Sequence, residues 1–339
     1  MPEATRRPSG QTSSAAARRP TVSAVIVVFN QAQFIADAIR SALAQSDVDV
    51  EVIVVDDAST DDTPAVLASL GDRITVLRNE TGTERGAARN RGARAGRGEF
   101  IAFLDGDDCW MPGKLIAQVK LCRLGQACVT QFDYVDAHGR VIGGCRPRAE
   151  PTLAEVVSGP VTLGAGSNLM VTREMFEQTG GFPEDLAVQS CEDWLFVARL
   201  LGSGVILGVV PVTLVRVTVH DRQSTATALR RTVLWRGAAW LEEHGYVSAS
   251  AARRLRARVA GVIAAGYAFE GTPGAAMRWL RHAARQRETR ETARALLRVA
   301  RSFATGALRR RGLGRLVDSI RARRTAFAAR PRRAACRKT

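Results

Sequence analysis

The sequence predicts an α/β fold, in which a mostly parallel β-sheet carries helices on both faces and an α-helical C-terminal extension follows. Three observations support this prediction. Between residues 22 and 121, short apolar runs alternate with segments of helical spacing, a pattern typical of parallel sheets with crossover helices. Several of these runs end at polar residues, at the strand ends where open α/β sheets bind ligands. No strand pattern occurs after residue 224.

The elements of the first part follow in order along the chain. Each predicted strand is a short apolar run bounded by turn residues. The predicted helices carry apolar residues at helical spacing, except for Glu84–Ala95, which is closed by Gly96 and Gly98. The predicted strands are Val22–Phe29, Val50–Val55, Ile74–Leu77 and Phe100–Leu104. The predicted helices are Gln31–Gln45, a helix capped by Ser59 or Thr60, Glu84–Ala95, and a helix that opens at Pro112.

The middle of the chain is less regular. A hairpin turn is expected at His138–Gly139, between strands at 128–135 and 140–142. The other elements expected here are a strand at 167–171, a helix at 191–201 and a strand at 212–219. From residue 224 onward we expect helices alone.

The net charge of +16 is unevenly distributed and suggests three regions. Residues 222–339 contain 28 Arg and Lys against 6 Asp and Glu, a net charge of +22, whereas residues 1–221 carry −6. Residues 1–20 are rich in Ser, Ala, Arg and Pro and are expected to form a disordered tail. The predicted organisation is therefore a tail at 1–20, an α/β domain at 21–223 and a basic helical region at 224–339.

The cysteines and the hydropathy pattern bear on the compartment. The six cysteines form no CxxC pair and no zinc spacing, so we expect free thiols in a reducing cytoplasm. No apolar run approaches 18 residues, so no membrane-spanning helix is expected. The first 20 residues also lack the apolar segment of a secretory signal.

The stretch Gly98–Asp108 is the most informative of the chain. Its apolar run ends in Asp105, Asp107 and a further aspartate. Buried strands do not normally end in uncompensated carboxylates, because packed negative charges repel each other and lose solvation. Asp105 and Asp107 leave an extended backbone on the same side, where they would suit Mg²⁺ or Mn²⁺ that also binds substrate phosphates. A solvated acidic turn is the alternative.

Six short motifs resemble, in their order and spacing, those of the family 2 glycosyltransferases, which have the GT-A fold. The motifs are Val25–Asn30, Val55–Thr63, Gly86–Asn90, Phe103–Asp108, Gly180–Phe182 and Glu192–Trp194. The resemblance covers residues 21–223 and identifies them as a GT-A catalytic domain. It implies inverting transfer of a sugar from a nucleoside-diphosphate sugar to an acceptor hydroxyl, in polysaccharide, glycolipid or other glycoconjugate biosynthesis.

The resemblance implies that the nucleotide binds at the strand ends. Asp57 would accept a hydrogen bond from the ring N–H of uracil or a similar base, since a carboxylate can only accept. Helix capping is the alternative role for Asp57. The further nucleotide-binding candidates are Val28, Asn30, Arg85, Arg89 and Asp105. For the two arginines, a salt bridge on a solvated helix face is a near-equal alternative.

The resemblance also implies a divalent cation and a catalytic base. Asp107 is the metal-ligand candidate, with Asp105 on the ribose or the metal and His220 as a later ligand, although a lone histidine is more often structural. The metal, Mn²⁺ or Mg²⁺, would neutralise charge on the leaving nucleoside diphosphate. Asp193 is the candidate general base, and one base implies a single inverting displacement. The alternative for Glu192–Asp193 is a helix cap.

The basic end of the chain predicts amphipathic helices. One apolar stripe within residues 291–339 consists of Leu296, Leu297, Ala300, Phe303 and Ala304, with arginines on the opposite face. Such helices bind anionic membranes, which would bring the active site beside a lipid-linked acceptor at the inner face of the cell membrane. Packing on the catalytic domain is the alternative, and it is equally favoured for residues 224–290. Nucleic-acid binding is not expected, because the interleaved aromatic residues on which bases stack are missing.

Two other functions compete with glycosyl transfer. A nucleotidyltransferase normally has a glycine-rich, basic loop after its first strand, whereas Asn30–Gln33 follows here. A non-catalytic GT-A-like interaction protein would be expected to have lost site residues, and the intact carboxylates argue against it. The saccharide acceptor and the donor sugar depend on pocket shape rather than on these motifs.

Overall fold

The computed structural model describes residues 21–83, 85–147, 150–158, 165–188, 190–220 and 228–310. The expected tail at 1–20 lies outside these residues, as does the end of the basic region at 311–339. The predicted domain boundary after residue 223 also falls outside them.

One sheet contains all the strands of the described residues. The strands are β1 (Thr21–Val28), β2 (Asp49–Asp56), β3 (Thr75–Arg78), β4 (Phe100–Asp105), β5 (Cys109–Trp110), β6 (Gln126–Val135), β7 (Val141–Cys145), β8 (Met170–Thr172) and β9 (Ile206–Thr218). Their order is β3-β2-β1-β4-β8-β6-β9-β5, and β7 pairs with β6. The first four strands are parallel neighbours, whereas β8 pairs antiparallel with both β4 and β6. The predicted α/β class is confirmed, and its parallel strands are this four-stranded half together with the pair of β6 and β9.

The helices alternate with the strands and then continue alone. They are α1 (Ile35–Leu43), α2 (Thr63–Ala68), α3 (Arg85–Ala95), α4 (Lys114–Cys122), α5 (Leu153–Ser158), α6 (Ala165–Asn168), α7 (Arg173–Thr179), α8 (Glu192–Gly202), α9 (Ala228–Glu243), α10 (Ala249–Phe269), α11 (Pro273–Arg285) and α12 (Thr289–Arg310). In the described part of the C-terminal region, helices are the only regular elements, as expected. None of the helices in the described segments is both long enough and apolar enough to cross a bilayer.

Two local predictions were wrong. The helix expected to be capped by Ser59 or Thr60 begins only at Thr63, because the Ser59 hydroxyl accepts the Asn30 N–H at 3.0 Å instead. The strand expected at 167–171 was also wrong in part, because residues 167–168 form the end of α6 and β8 begins only at Met170. The Asn168 side chain there makes two hydrogen bonds to the backbone of Thr130, at 2.9 and 2.7 Å, and so replaces strand pairing.

Side chains of β1 alternate between two apolar cores on the two faces of the sheet. Ala24, Ile26 and Val28 pack into the core that contains α1 and α4, whereas Val25 packs into the core beneath α7 and α8. Every one of these side chains is buried, as expected of a parallel strand covered on both faces.

The C-terminal helices share a core with helix α8 of the α/β part of the chain. Leu195 and Ala198 of α8 are buried against Leu241 of α9 and Ile263 of α10. The opposite side of α8 packs on the sheet through Phe196 and its neighbours. Helix α8 is therefore held between the sheet and the C-terminal helices.

Lys114 is a buried lysine without a carboxylate partner among its described contacts. Its Nζ donates to Gln118 Oε1 at 2.6 Å and lies 4.0 Å from the centre of the Trp110 ring. The side chain is fully buried, and this burial lowers the pKa of Lys114 to about 7. Lys114 therefore binds its proton less tightly in the folded state than in the unfolded state. Such a lysine lowers the free energy of unfolding at every pH at which it is protonated in the unfolded chain.

Replacing this lysine, Lys114→Met, is expected to stabilise the fold at neutral pH by about 2–3 kcal/mol. Relief of the pKa depression contributes about 4–5 kcal/mol, and the unpaired Gln118 acceptor offsets about 1–3 kcal/mol of it. The folded pKa lies below the unfolded value, so the gain is full below pH 7 and disappears as pH rises past about 10.5. Urea unfolding at pH 6.5 and pH 10 measures it, with exposed Lys120→Met as the control on the same helix. If Lys114→Met changed the free energy of unfolding by the same amount at pH 6.5 and at pH 10, the buried charge would not be the cause.

Candidate active site

The carboxyl ends of three parallel strands meet at one edge of the sheet. In the paired register, Val28 of β1 lies beside Asp56 of β2, and Val27 lies beside Asp105 of β4. The residues that directly follow these strands therefore lie close together. This is the edge at which open α/β sheets bind their ligands.

Asp57 lies in a buried polar pocket just beyond β2. Its Oδ1 accepts three hydrogen bonds, from the Asn79 side-chain amide at 2.6 Å and from the N–H and hydroxyl of Thr83, both at 2.8 Å. Its backbone N–H donates to the Val28 carbonyl at 2.9 Å. Asp62 occupies the N-cap position of α2, so capping is not the role of Asp57. All described hydrogen bonds of the carboxylate end on Oδ1.

Asn30 fixes the loop that carries Asp57. Its backbone has a left-handed φ of 52°, and its Oδ1 accepts the N–H of Thr60 at 2.7 Å and of Asp61 at 3.3 Å. Val28 is buried in the core, so its side chain does not line the open edge. The nucleotide-binding roles expected for Asn30 and Val28 remain predictions, with Asn30 acting at least as a brace of the β2–α2 loop.

Phe29 was missed by the sequence analysis. Its ring is 55% exposed directly after β1, between the buried Val28 and the turn at Asn30. A large aromatic residue that follows a buried strand at the ligand edge is the signal that could have identified it. An exposed ring at this edge offers a flat apolar surface to a ligand.

Asp108 connects the acidic loop, residues 105–108, to two neighbouring elements. Its Oδ1 accepts the Thr218 N–H at 2.9 Å, and its Oδ2 accepts the Ser167 hydroxyl. Burial and then the charges of Asp107 and Asp105 raise the pKa of Asp108 well above its usual range. The loop after β4 is thereby tied to α6 and to the end of β9.

Asp107 and His220 form the adjoining pair. His220 Nε2 lies 2.9 Å from Asp107 Oδ2, and the imidazole stacks on Phe34 with ring centres 5.0 Å apart. Burial, followed by the negative charge of Asp105, raises the pKa of Asp107, and His220 partly opposes this rise. The pair brings together two residues that are 113 positions apart in the sequence.

The carboxylates fit a hard divalent cation that is shared with a substrate. Asp105 and Asp107 would supply oxygen ligands to such a cation, and its positive charge would relieve the repulsion by Asp105 that, after burial, raises the pKa of Asp107. Across the described residues, no group of three or more His, Cys, Asp or Glu side chains is arranged to hold a metal ion. Oxygen atoms from a bound diphosphate would have to complete the coordination.

Arg89 lies inside the protein, so the alternative of a salt bridge on a solvated helix face does not hold for it, and its expected role in nucleotide binding remains a prediction. Only 3% of its side chain is exposed, and it donates to Asp105 Oδ1 at 2.6 Å and to Glu192 Oε1 at 2.8 Å. Burial lowers the pKa of Arg89, but the Asp105 and Glu192 carboxylates raise it by more, so the guanidinium stays charged. Arg85, one turn earlier, is exposed at the start of α3.

Asp193 lies in the first turn of α8, next to Glu192. Its carboxyl is surrounded by protein but partly open to solvent, and its Oδ1 accepts the N–H of Trp194 at 2.7 Å. Burial, and then the neighbouring Glu192 charge, raise the pKa of Asp193 to about 6, while Arg89 opposes the rise. A carboxylate with this pKa is well suited to accept a proton at neutral pH.

Comparison with known proteins places this arrangement in a family. The sequence model of "Glycosyl transferase family 2" matches residues 23–180. The succinoglycan biosynthesis protein ExoO of Rhizobium meliloti is 34% identical over 202 residues, which are 55% of this chain and 57% of ExoO. An uncharacterized glycosyltransferase of Rickettsia typhi is 30% identical over 230 residues, which are 64% of this chain and 71% of that protein. The match thus spans little more than half the length of ExoO.

The fold also occurs in a solved structure. S. aureus TarS 1–349, crystallised in complex with UDP-GlcNAc, superposes with a TM-score of 0.60 over 86% of this chain and 92% of the TarS chain. The sequence identity is 17%, so this likeness concerns the fold.

Proposed function

Since this chain belongs to glycosyl transferase family 2, we propose that it transfers a sugar from a nucleoside-diphosphate sugar to an acceptor hydroxyl, with inversion, in polysaccharide or other glycoconjugate biosynthesis. The observation that carries the proposal is the bridge formed by Arg89, which joins the acidic strand end at Asp105 to the start of the helix bearing Asp193. This bridge supports a single site in which Asp105 would face the donor and Asp193, with a pKa raised to about 6, would be the base.

The nucleotide would bind at the ends of β1 and β2. Asp57 Oδ1 is already used by three donors, so Oδ2 is the oxygen we assign to the ring N–H of the base. Phe29 would stack on the base, since its ring is the exposed aromatic surface at this edge. Arg85 would contact the phosphates from the exposed start of α3, where the helix dipole also favours negative charge.

Asp107 and Asp105 would hold a divalent cation, with His220 as a further ligand or as the partner that orients Asp107. Such a cation, when bound, supplies charge neutralisation at the diphosphate of the donor. Asp108 would not contact it, because both of its oxygens are used by Ser167 and Thr218.

Asp193 would act as the general base. It would take the proton of the acceptor hydroxyl as that oxygen attacks the anomeric carbon and the bond from this carbon to the diphosphate breaks. The bonding electrons leave with the nucleoside diphosphate. Because the nucleoside diphosphate is displaced from the anomeric carbon in a single step, the anomeric configuration inverts.

Binding of nucleoside diphosphates tests the proposal directly. The protein is titrated calorimetrically with UDP, GDP, CDP and dTDP, each in Mn²⁺ and in EDTA, with UDP first because TarS was crystallised with UDP-GlcNAc. We expect one nucleotide to bind in the presence of Mn²⁺ and to bind far more weakly in EDTA. Binding of nucleoside triphosphates alone, with release of pyrophosphate, would favour nucleotidyl transfer. Binding of none of them by folded protein would favour a non-catalytic protein.

We propose in addition that α12 attaches the protein to an anionic membrane surface. Ala295 and Val299 of this helix are buried against the helical bundle, whereas Leu296 and Leu297 are 53% and 59% exposed. Arg294 flanks the exposed leucines, so the outer face combines apolar and cationic side chains. This combination is typical of helices that lie in the interface of an anionic bilayer.

The double substitution Leu296→Glu with Leu297→Glu is expected to weaken binding to phosphatidylglycerol vesicles about 10-fold or more, because apolar surface no longer enters the bilayer. Vesicle co-sedimentation measures it. Leu124→Glu, which changes another exposed leucine, is the matched control. If the wild-type protein did not bind these vesicles, or if the Leu124→Glu control lost binding equally, attachment through α12 would be contradicted.

A further inference from the structure

Arg89 is the centre of a buried ion cluster that spans distant parts of the chain. Its two terminal nitrogens bind carboxylates 16 residues and 103 residues away, Asp105 at the end of β4 and Glu192 at the start of α8. Both Arg89 and Glu192 are only 3% exposed. Among the polar atoms of the described residues, Arg89 Nε and Glu192 Oε2 are buried without a hydrogen-bond partner. These two atoms each carry a desolvation cost, although the ion pairs with Asp105 and Glu192 keep the guanidinium charged.

Two glycines let the surrounding backbone approach this cluster closely. A Cβ at Gly86 would lie 2.4 Å from the Pro183 carbonyl oxygen and 3.5 Å from Glu192 Cβ. A Cβ at Gly166 would lie 2.5 Å from Asp105 Oδ2 and 2.9 Å from Arg89 Nη2. Helices α3, α6 and α8 thus meet around the guanidinium at distances that admit no additional side-chain atom.

The turn before α8 closes the remaining side. Asn90 exchanges two hydrogen bonds with the backbone of Phe182, each of 2.9 Å, and the Phe182 ring centre lies 5.3 Å from the Arg89 guanidinium carbon. The sequence motifs around Arg89, Phe182 and Glu192 are therefore parts of one packed unit.

We propose that Arg89 and Glu192 are positioning residues, which hold the donor-binding strand end at Asp105 and the base Asp193 in the relative geometry that sugar transfer requires. The inference rests on the proposed function and extends it to two residues that do not touch the reacting atoms. A planar guanidinium can bind two carboxylates at once, whereas a lysine ammonium cannot reproduce this fork. An error of about 1 Å in such an alignment costs about 100-fold in rate.

The cluster also determines the charge around Asp193. Glu192 and Asp105 carry negative charge toward it, and Arg89 carries positive charge. Removal of Glu192 charge should therefore make Asp193 more acidic, and removal of Arg89 charge should make it less acidic. Arg89→Lys preserves the charge and changes only the geometry of the contacts with Asp105 and Glu192.

The test compares pH profiles of donor hydrolysis, with water as acceptor, for wild type, Arg89→Lys, Arg89→Met and Glu192→Gln. The probe is the UDP-, GDP-, CDP- or dTDP-sugar whose nucleotide binds. Arg89→Lys should lower kcat about 10- to 100-fold with little change in KM. It should also leave the acidic limb of the profile, the pH range in which the rate falls on acidification, nearly unchanged. Glu192→Gln should move the acidic limb to lower pH, and Arg89→Met should move it to higher pH.

Arg94→Met is the matched control, since Arg94 lies on the same helix, is 64% exposed and pairs with the exposed Glu184. Unfolding midpoints identify variants that merely fail to fold. Equal losses in Arg89→Lys and Arg94→Met, or a limb that does not move in either charge variant, would overturn the proposal.

A second readout separates this inference from the proposed function. The carboxyl ¹³C shift of Asp193, assigned by its loss in Asp193→Asn, reports the pKa of the residue without any turnover. Opposite pKa changes in Glu192→Gln and Arg89→Met support the cluster even if no donor is hydrolysed, in which case only the proposed function fails. Unchanged pKa values with normal hydrolysis in the wild type would reject the cluster alone.

Discussion

Asp193→Asn is expected to lower the rate of sugar transfer about 10²- to 10⁴-fold while leaving donor affinity within about 2-fold of wild type. The amide keeps the size of the side chain but cannot take the proton of the attacking hydroxyl. No described hydrogen bond joins Asp193 to Asp57 or to Asp107, so the nucleotide should still bind. Turnover of the donor and calorimetric binding of its nucleoside diphosphate, measured on the same sample, test both parts.

The pH dependence provides a second check on Asp193. Since burial raises its pKa to about 6, transfer by the wild type should fall as pH drops below about 6, where the base becomes protonated. The raised folded pKa also means that the ionised group destabilises the fold above pH 6 and not below the unfolded value of 3.8. Asp193→Asn should therefore raise the melting temperature at pH 7 and have little effect below pH 4.

An exposed carboxylate outside the site is the control for this substitution. Asp72→Asn removes the same charge from a surface turn and should leave both turnover and melting temperature unchanged. If Asp193→Asn retained turnover, Asp193 would not be the general base and another residue would have to take that role. Lost nucleotide binding in the same variant would indicate that Asp193 contributes to the donor site instead.

Asp107→Ala is expected to weaken metal-dependent nucleotide binding more than about 100-fold, the second of the two largest effects. The substitution removes one of the two carboxylates that we propose as ligands of the cation, and the described residues contain no group of three or more His, Cys, Asp or Glu side chains that could replace it. Asp107→Asn is the sharper variant, because the amide oxygen can still accept from His220 while the negative charge is lost. Calorimetry in Mn²⁺ and in EDTA separates the metal-dependent part of binding from the remainder.

Asp108 provides the contrast within the same loop. Asp108→Asn should mainly reduce the free energy of unfolding, because this side chain ties the loop to Ser167 and Thr218. If Asp107→Ala bound nucleotide as well in Mn²⁺ as the wild type does, the metal assignment would be wrong. If Asp108→Asn showed the larger loss of binding in a folded protein, the metal role would pass to Asp108.

Much of the catalytic edge was predictable from short stretches of sequence. The run predicted at Phe100–Leu104 became β4, Phe100–Asp105, and Asp105 and Asp107 follow where the pattern changes from apolar to acidic. Parallel strands bring such ends together, so Asp57 and Asp105 were expected at one edge. The order of the motifs indicated the family, which the comparisons confirmed.

The burial of Arg89 was not predictable in this way. Helix α3 carries alanines, glycines, arginines and one asparagine, without a large apolar side chain, so its sequence is typical of a solvated helix. Two carboxylates and two close glycine contacts decide its burial, and the glycines give no periodic signal. The inner face of α12 was likewise not identified from the sequence, because Ala295 and Val299, which lie outside the predicted apolar stripe, are the residues buried against the neighbouring helices.

The sequence by itself determined the α/β class, the strand ends that carry the carboxylates and the helical character of the C-terminal region. These properties depend on neighbouring residues, because the period of apolar side chains and the polar end of each strand are local features. Tertiary structure alone decided which carboxylates Arg89 binds and how β4 is joined to α8. A buried charge must find its partners wherever the fold brings them, and here they lie 16 and 103 residues away.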